Sequence, residues 1–234
     1  MLEIGAGTGQ LTDALLEAGY EVVALEVEER LIPHLRKRFR GNPQLKLVLG
    51  DARDIDLAAI LPPNRPFAVV GNLPYFAANP IIRHFLEGEP RPTEMVVMVQ
   101  REVARELAAA PGDASLLTLA VQVYAEGELL FDVAPEAFDP PPNVWSSVVR
   151  LTLRDEPLVP DELNAAFFEL ASKTFRNPRK QIHNALARGV WLPEGGADEA
   201  LAEAGIDPMR RPETLTIPEW LRLLETTQAV RARA

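Results

Sequence analysis

The sequence contains no cysteine. Disulfides, thiolate nucleophiles and cysteine-ligated zinc are therefore excluded. Histidine is nearly as scarce. His34, His84 and His183 are scattered, and no two stand at a metal-ligand spacing. Neither a metal site nor a Ser-His-Asp triad is expected. No apolar run reaches the ~18 residues of a membrane span, and no signal peptide precedes the first strand. A soluble, cytoplasmic chain is expected. Positive charge is also short: 24 Lys and Arg stand against 34 Asp and Glu, for a net charge of −10. That balance argues against nonspecific nucleic-acid binding, which usually needs a basic footprint. The deficit is uneven. Residues 1–155 hold 14 Lys and Arg against 22 Asp and Glu, whereas residues 156–234 hold 10 against 12. From Lys173 to Arg188 there are five cations, Lys173, Arg176, Arg179, Lys180 and Arg188, and no acid. Such a patch can contact phosphates even on an acidic protein. The alternative is a solvated helix face.

What is present suits an α/β protein. Hydrophobic residues make up 47% of 234, enough for one ordinary domain and a small second one. The chain opens at the end of a strand, Met1 to Ile4, followed by Gly5-Ala6-Gly7-Thr8-Gly9. A helix is expected over 11–18 and a strand over 21–27, which carries Glu26 near its end. A strand, a glycine-rich turn, a helix and a second strand ending in an acid form the nucleotide-binding half of a Rossmann-like sheet. The acid is placed to accept hydrogen bonds from ribose hydroxyls. The glycine spacing is G-x-G-x-G, not the G-x-G-x-x-G of dinucleotide enzymes, and it favours S-adenosylmethionine over NAD. A helix follows over 28–39, then a strand over 45–49 ending in Gly50-Asp51-Ala52. Asp51 could accept from a cofactor adenine amine, with the Ala52 N–H meeting a ring nitrogen. A plain Gly-Asp turn is the simpler reading.

The stretch around which the chain is organised is Gly71-Asn72-Leu73-Pro74-Tyr75, after the apolar strand Phe67 to Val70. Ligands of open α/β sheets bind at the carboxyl ends of the strands. There an Asn amide, a Leu73 or Pro74 carbonyl and a Tyr face suit a planar heterocycle with an exocyclic amine. Pro74 fixes φ and has no N–H of its own. A bare Asn-x-Pro turn with a core Tyr is the competing reading. Further helices are expected over 80–86, 101–110 and 115–124, and strands over 94–100, 129–133 and 144–153. The last two strands are joined by Phe138-Asp139-Pro140-Pro141-Pro142, a stiff loop that delivers Phe138 near the crevice or anchors it in the core. Pro157 and Pro160 mark a linker. Helices alone are expected after it, over 161–175, 180–188, 198–204 and 218–226. The expected fold is α/β: a Rossmann-like seven-stranded doubly wound sheet over 1–155, with a small all-α C-terminal domain over 156–234.

Glu3-Ile4-Gly5-Ala6-Gly7, Glu26, Gly50-Asp51-Ala52, Asn72-Leu73-Pro74-Tyr75, Phe138-x-Pro140-Pro141-Pro142-x-Val144 and Gly205-Ile206-Asp207-Pro208 with Arg211-Pro212-Glu213 stand in order along the chain. Together they resemble the ribosomal RNA adenine dimethyltransferases of the KsgA/RsmA type. The resemblance implies a class I methyltransferase domain that dimethylates two adjacent adenosines near the 3′ end of 16S rRNA, using S-adenosylmethionine. It implies that Gly5, Gly7, Glu26, Asp51, Ala52 and Asn72 hold the cofactor. It places methyl transfer at Asn72, Leu73, Pro74 and Tyr75, with the target base between Tyr75 and Phe138. Arg176, Arg179 and Lys180 are the expected RNA contacts of a helical RNA-contacting domain. The expected partner is 16S rRNA within the immature small ribosomal subunit, met by a monomer, with no membrane and no metal. Asn143 stands where the family usually has Lys, and Pro178 where it often has Arg. The family's segment before the first strand is not in this sequence, so weakened cofactor binding is expected. The 23S rRNA methyltransferases of macrolide resistance share the cofactor motifs but fit the Pro140–Pro142 and Gly205–Pro208 stretches less well. A non-catalytic ribosome-assembly protein retaining the fold is the other alternative.

Overall fold

A computed structural model describes residues 1–110, 112, 114–176 and 179–234. Pro178 lies outside the described residues. The chain forms two compact units. The first takes residues 1–108 and 125–154, and the second takes 109–124 and 155–234. The expected single division near residue 155 therefore needs correction. The helix over 116–124 belongs with the C-terminal helices, and its nearly unbroken apolar run LLTLAV is largely buried.

The first unit is built on seven strands among the described residues: β1 (Leu2–Ile4), β2 (Val22–Glu26), β3 (Leu45–Leu49), β4 (Ala68–Asn72), β5 (Glu94–Gln100), β6 (Ala125–Val133) and β7 (Ser146–Leu153). Their order is β3-β2-β1-β4-β5-β7-β6. The first five run parallel, and β7 is antiparallel to both β5 and β6. In a sheet covered on both faces the central strands read as apolar runs rather than alternations. All three residues of β1 are buried, but Glu3 between Leu2 and Ile4 interrupts the apolar run. The helices of this unit are α1 (Gln10–Glu17), α2 (Ile32–Arg38), α3 (Leu57–Ile60), α4 (Ala78–Glu87) and α5 (Arg101–Leu107). One core cluster gathers Ala6, Leu15, Val22, Ala24, Leu35 and Val70, which joins α1 and α2 to the sheet. The expected helix over 28–39 opens instead with a 3-10 turn, Glu29–Leu31, and Pro33 sits near the start of α2, where its missing N–H costs nothing.

The second unit contains α6 (Leu116–Tyr124), α7 (Asp161–Phe175), α8 (Ile182–Gly189), α9 (Gly196–Ala204) and α10 (Ile217–Ala232). Its core includes Trp220, fully buried, with its ring stacked 5.7 Å from that of Phe175. The Gly205-Ile206-Asp207-Pro208 stretch is structural. Gly205 ends α9 in the left-handed conformation (φ 67°), Ile206 is buried behind it, and Asp207 accepts the Met209 N–H at 2.9 Å. No helix among the described residues is long and apolar enough to cross a membrane.

Candidate active site

The strand order reverses between β1 and β4: β1 leads outward through β2 to β3, and β4 leads the other way. The carboxyl ends of β1 and β4 therefore flank a switch point, where open α/β sheets bind ligands. Gly5 follows β1 and Asn72 ends β4. The two meet: a Cβ on Gly5 would stand 3.9 Å from the Asn72 carbonyl oxygen. The turn is held to β2, because the N–H groups of Gly5 and Ala6 both donate to the Leu25 carbonyl, at 2.8 and 3.2 Å. Gly5, Gly7 and Gly9 all have positive φ (73°, 57° and 87°), a conformation side chains resist. Gly71 serves closeness instead. A Cβ there would lie 2.7 Å from the Ile4 carbonyl oxygen, so only glycine lets β4 pack this tightly on β1.

Glu26, the last residue of β2, is buried. Its Oε2 accepts the Gly7 N–H at 2.7 Å, and its Oε1 accepts the Glu28 N–H at 2.8 Å. Two backbone donors thus fix the carboxylate's orientation, and each oxygen keeps a second acceptor direction. Behind the turn lies Glu3, fully buried. One of its oxygens accepts the Thr12 hydroxyl at 2.6 Å, and the other has no partner among the described residues. Burial pushes the Glu3 carboxyl up, against the Thr12 hydrogen bonds, and the Glu26 charge adds to the rise. Asp51 follows β3. It accepts from the Arg53 backbone N–H at 2.9 Å and from the Arg53 guanidinium, which holds its carboxyl below the usual range. Ala52 beside it is buried.

Asn72 is the last residue of β4, not the first of the loop, and its side chain is exposed. Its amide has no partner among the described residues. Leu73 is an anchor: its side chain is buried and its N–H donates to the Met98 carbonyl at 3.0 Å. The Pro74 carbonyl already accepts the Ala77 N–H at 2.9 Å, whereas no described donor reaches the Leu73 carbonyl. Of the two backbone acceptors foreseen, Leu73 is the more available. The Tyr75 hydroxyl shares a 2.7 Å hydrogen bond with the buried Ser146 Oγ at the start of β7. That bond orients the half-buried ring.

The structure thus brings Gly5, Gly7, Glu26, Asn72 and Leu73 to one switch point, with Tyr75 beside them. Phe138 lies on the β6–β7 connection, half-buried, and among the described residues no ring contact joins it to Tyr75. Arg176, Arg179 and Lys180 lie between α7 and α8 in the second unit, exposed and without ion-pair partners among the described residues. A cavity of about 630 Å³, lined by Tyr20, Gln44, Lys46 and Arg65, opens at the amino ends of the strands, the wrong end of the sheet for this chemistry. Sequence reasoning missed Ser146, Arg53 and the Glu3–Thr12 pair. Arg53 stands two residues from Asp51, and Thr12 nine from Glu3, so both were within reach of a local reading. Ser146 is 71 residues from Tyr75 and gave no signal.

The model of the family described as "Ribosomal RNA adenine dimethylase" matches residues 1–229. The chain is 39% identical over 223 residues to the ribosomal RNA small subunit methyltransferase A of Dehalococcoides mccartyi, covering 95% of this chain and 77% of that protein. It is 40% identical over 227 residues to the protein of that name from Desulfitobacterium hafniense, covering 96% and 81%. Among solved structures, the 23S rRNA methyltransferase ErmE matches with a TM-score of 0.71 at 30% identity, over 97% of this chain and 90% of that one. A dimethyladenosine transferase from Plasmodium falciparum shares the fold, with a TM-score of 0.80 at 24% identity, over 98% and 90%. With a glycine turn, a strand-end carboxylate and an unpaired Asn at one switch point, and with these matches spanning both units, the chain belongs to the ribosomal RNA adenine dimethylase family.

Proposed function

We propose that this protein dimethylates the N6 amines of two adjacent adenosines near the 3′ end of 16S rRNA in the immature small subunit, using S-adenosylmethionine. The observation that carries the reading is the Asn72 amide: exposed, unpaired, and set at the end of β4 against the Gly5 turn. The switch point fits the cofactor. The turn carries no side chains at Gly5 and Gly7, and Glu26 is an acceptor fixed by two backbone donors. Gly5, Gly7 and Glu26 would hold it at the ribose side, and Asp51 and Ala52 at the adenine. Bound there, it supplies an electrophilic methyl group on a sulfonium.

The protein's part is mostly orientation. An adenine amine is a weak nucleophile, because its lone pair is delocalised into the ring. Asn72 Oδ1 and the Leu73 carbonyl accept its two N–H bonds, which favours a pyramidal nitrogen with its lone pair turned toward the methyl group. Correct placement of two reactants can supply much of the rate gain. Neither acceptor is a strong base, and none is needed: the amine's acidity rises once it is methylated, and the proton leaves to water. The base leaves its stack to enter the crevice. Tyr75 offers one stacking face and Phe138 the second. Arg176, Arg179 and Lys180 contact phosphates. The test is label transfer from S-adenosylmethionine to immature small subunits and to large-subunit rRNA, with the modified nucleotides mapped. Label confined to two adjacent small-subunit adenosines is expected. Label in 23S rRNA would favour the macrolide-resistance type of activity. No label in either would favour an assembly role without catalysis.

A further inference from the structure

Beside the crevice, within the first unit, lies a cleft of about 550 Å³ lined by Arg101, Arg105, Asn143 and Trp145. Nothing in the mechanism above uses it. We propose that this cleft is a second nucleotide subsite: it holds the RNA nucleotide adjoining the target adenosine, with the base against Trp145 and the phosphate on Arg101 and Arg105. The inference rests on Tyr75 being the platform for the target base. It deepens that reading by saying where the neighbour is held.

Trp145 is 43% exposed, although tryptophan is usually well buried. Its place is nevertheless fixed. Its carbonyl accepts the Arg101 N–H at 3.0 Å, and the next residue, Ser146, is buried and bonded to the Tyr75 hydroxyl at 2.7 Å. The exposed ring is thus one residue away from the contact that orients Tyr75. The Arg101 guanidinium carbon lies 5.4 Å from the Trp145 ring centroid, a cation–π pair. Asp132 faces it as a long ion pair at 3.9 Å, beyond hydrogen-bond range, and already accepts the Ser147 hydroxyl. Arg105 sits one helical turn on, exposed and with no partner among the described residues. Like charges four residues apart on a helix repel each other, and an anion between them removes the cost. Glu102 also reaches the cleft; it stands three residues before Arg105, a neighbouring position on the helix, and offsets part of the charge of the two arginines. An aromatic face beside cations is the common device for holding single-stranded nucleic acid. Asn143 adds donors and an acceptor for a base edge.

Geometry supplies the reason for a second subsite. A base drawn into the crevice pulls its own backbone, and its neighbour, to the crevice mouth. An enzyme that acts on two adjacent adenosines must hold one while it methylates the other.

The test uses wild type, W145A, W145F and R101Q/R105Q. A labelled single-stranded oligoribonucleotide with two adjacent adenosines is titrated by anisotropy at several salt concentrations. Calorimetry with S-adenosylmethionine serves as the control. W145A should weaken oligonucleotide binding by roughly 5- to 140-fold, the loss of one stacked base. W145F should stay within a few-fold of wild type. R101Q/R105Q should lower the log–log salt slope by about 0.7, one phosphate on a single strand. Cofactor affinity should hold within a few-fold in all three. Arg105 is exposed, so the arginine variant tests the proposal even if W145A folds poorly. Unchanged affinity and slope in every variant, with label transfer by wild type intact, would overturn the subsite and leave the methyltransferase reading standing. Absence of label transfer by wild type would overturn that reading and the subsite with it.

Discussion

Tyr75 carries two separable properties, a ring face and a hydroxyl. The hydroxyl is occupied by Ser146, which is fully buried. Removing it in Y75F leaves the Ser146 oxygen without its partner, and an unsatisfied buried polar group costs ~1–3 kcal/mol. Y75F should therefore lose stability by that order while keeping most of its turnover. Y75A loses the stacking face as well, and its turnover should fall much further. Chemical denaturation and single-turnover label transfer, measured on both variants, separate the two. Equal turnover losses in Y75F and Y75A would assign the hydroxyl a direct role. Asn72 calls for a different pair of readouts. Its amide has no structural partner among the described residues, so N72A should abolish transfer and leave cofactor affinity within a few-fold. Turnover near wild type in N72A would sink the assignment. The position of both at a strand end was legible in the sequence, because a polar-Pro-aromatic run follows an apolar one. Ser146 was not, since a contact across 71 residues depends on β7 lying beside β5.

Among the elements, α10 shows best what holds an end in place. Thr216 caps it and Glu219 closes the capping box, accepting the Thr216 N–H at 2.8 Å. Arg210 donates to the same carboxylate from two nitrogens. The Arg210 guanidinium, aided by the Thr216 hydrogen bonds and opposed by partial burial, brings the Glu219 carboxyl from 4.5 down to about 2. A depressed carboxyl stabilises the fold above its unfolded value and loses that contribution as it protonates. The loss should run from about pH 4.5 down to about pH 2, with an upper bound near 3 kcal/mol, at about 1.4 kcal/mol for each tenfold change in proton affinity. Solvent reaching the pair lowers that figure. E219Q should remove most of this pH dependence and destabilise the protein at pH 7 by ~1–3 kcal/mol. Urea unfolding of both proteins at pH 7 and pH 3 checks it, and identical acid sensitivity would refute the linkage. Element bounds were legible wherever pattern and packing agree, as in β5 and α7. The sequence pattern places this last helix over 218–226. The helix instead continues to Ala232, since buried Thr227 and Val230 keep one face packed, which overrides a weak propensity.

At the scale of the whole molecule, the proposed function asks a chain of net charge −10 to meet RNA. Pairing makes the shortage worse. Arg38, Arg53, Arg65, Arg150, Arg154, Arg210 and Arg233 each face an acid at salt-bridge distance, and Lys173 faces Glu169 one turn away. Such cations present little net field to a phosphate. Arg176, Arg179, Lys180 and Arg188, in contrast, have no acidic partner among the described residues, and all four are exposed. A sequence count could find this stretch basic. It could not show which of its charges are neutralised, because that depends on helix spacing and side-chain reach. The sites that remain available should carry a disproportionate share of the phosphate contacts. Reversing Arg179 and Lys180 to Glu should weaken binding to small subunits. It should also flatten the dependence of log affinity on log salt, by about 0.7 per lost contact on a single strand and about 0.9 on a duplex. Because both residues are exposed and unpaired among the described residues, thermal stability should change by no more than ~0.5 kcal/mol, the usual range for such surface positions. Affinity measured across a salt series, with a melting curve for each variant, decides the matter. An unchanged slope with a normal melting curve would return this stretch to a solvated helix face. RNA affinity would then have to come from the first unit, where Arg105 is also exposed and has no partner among the described residues.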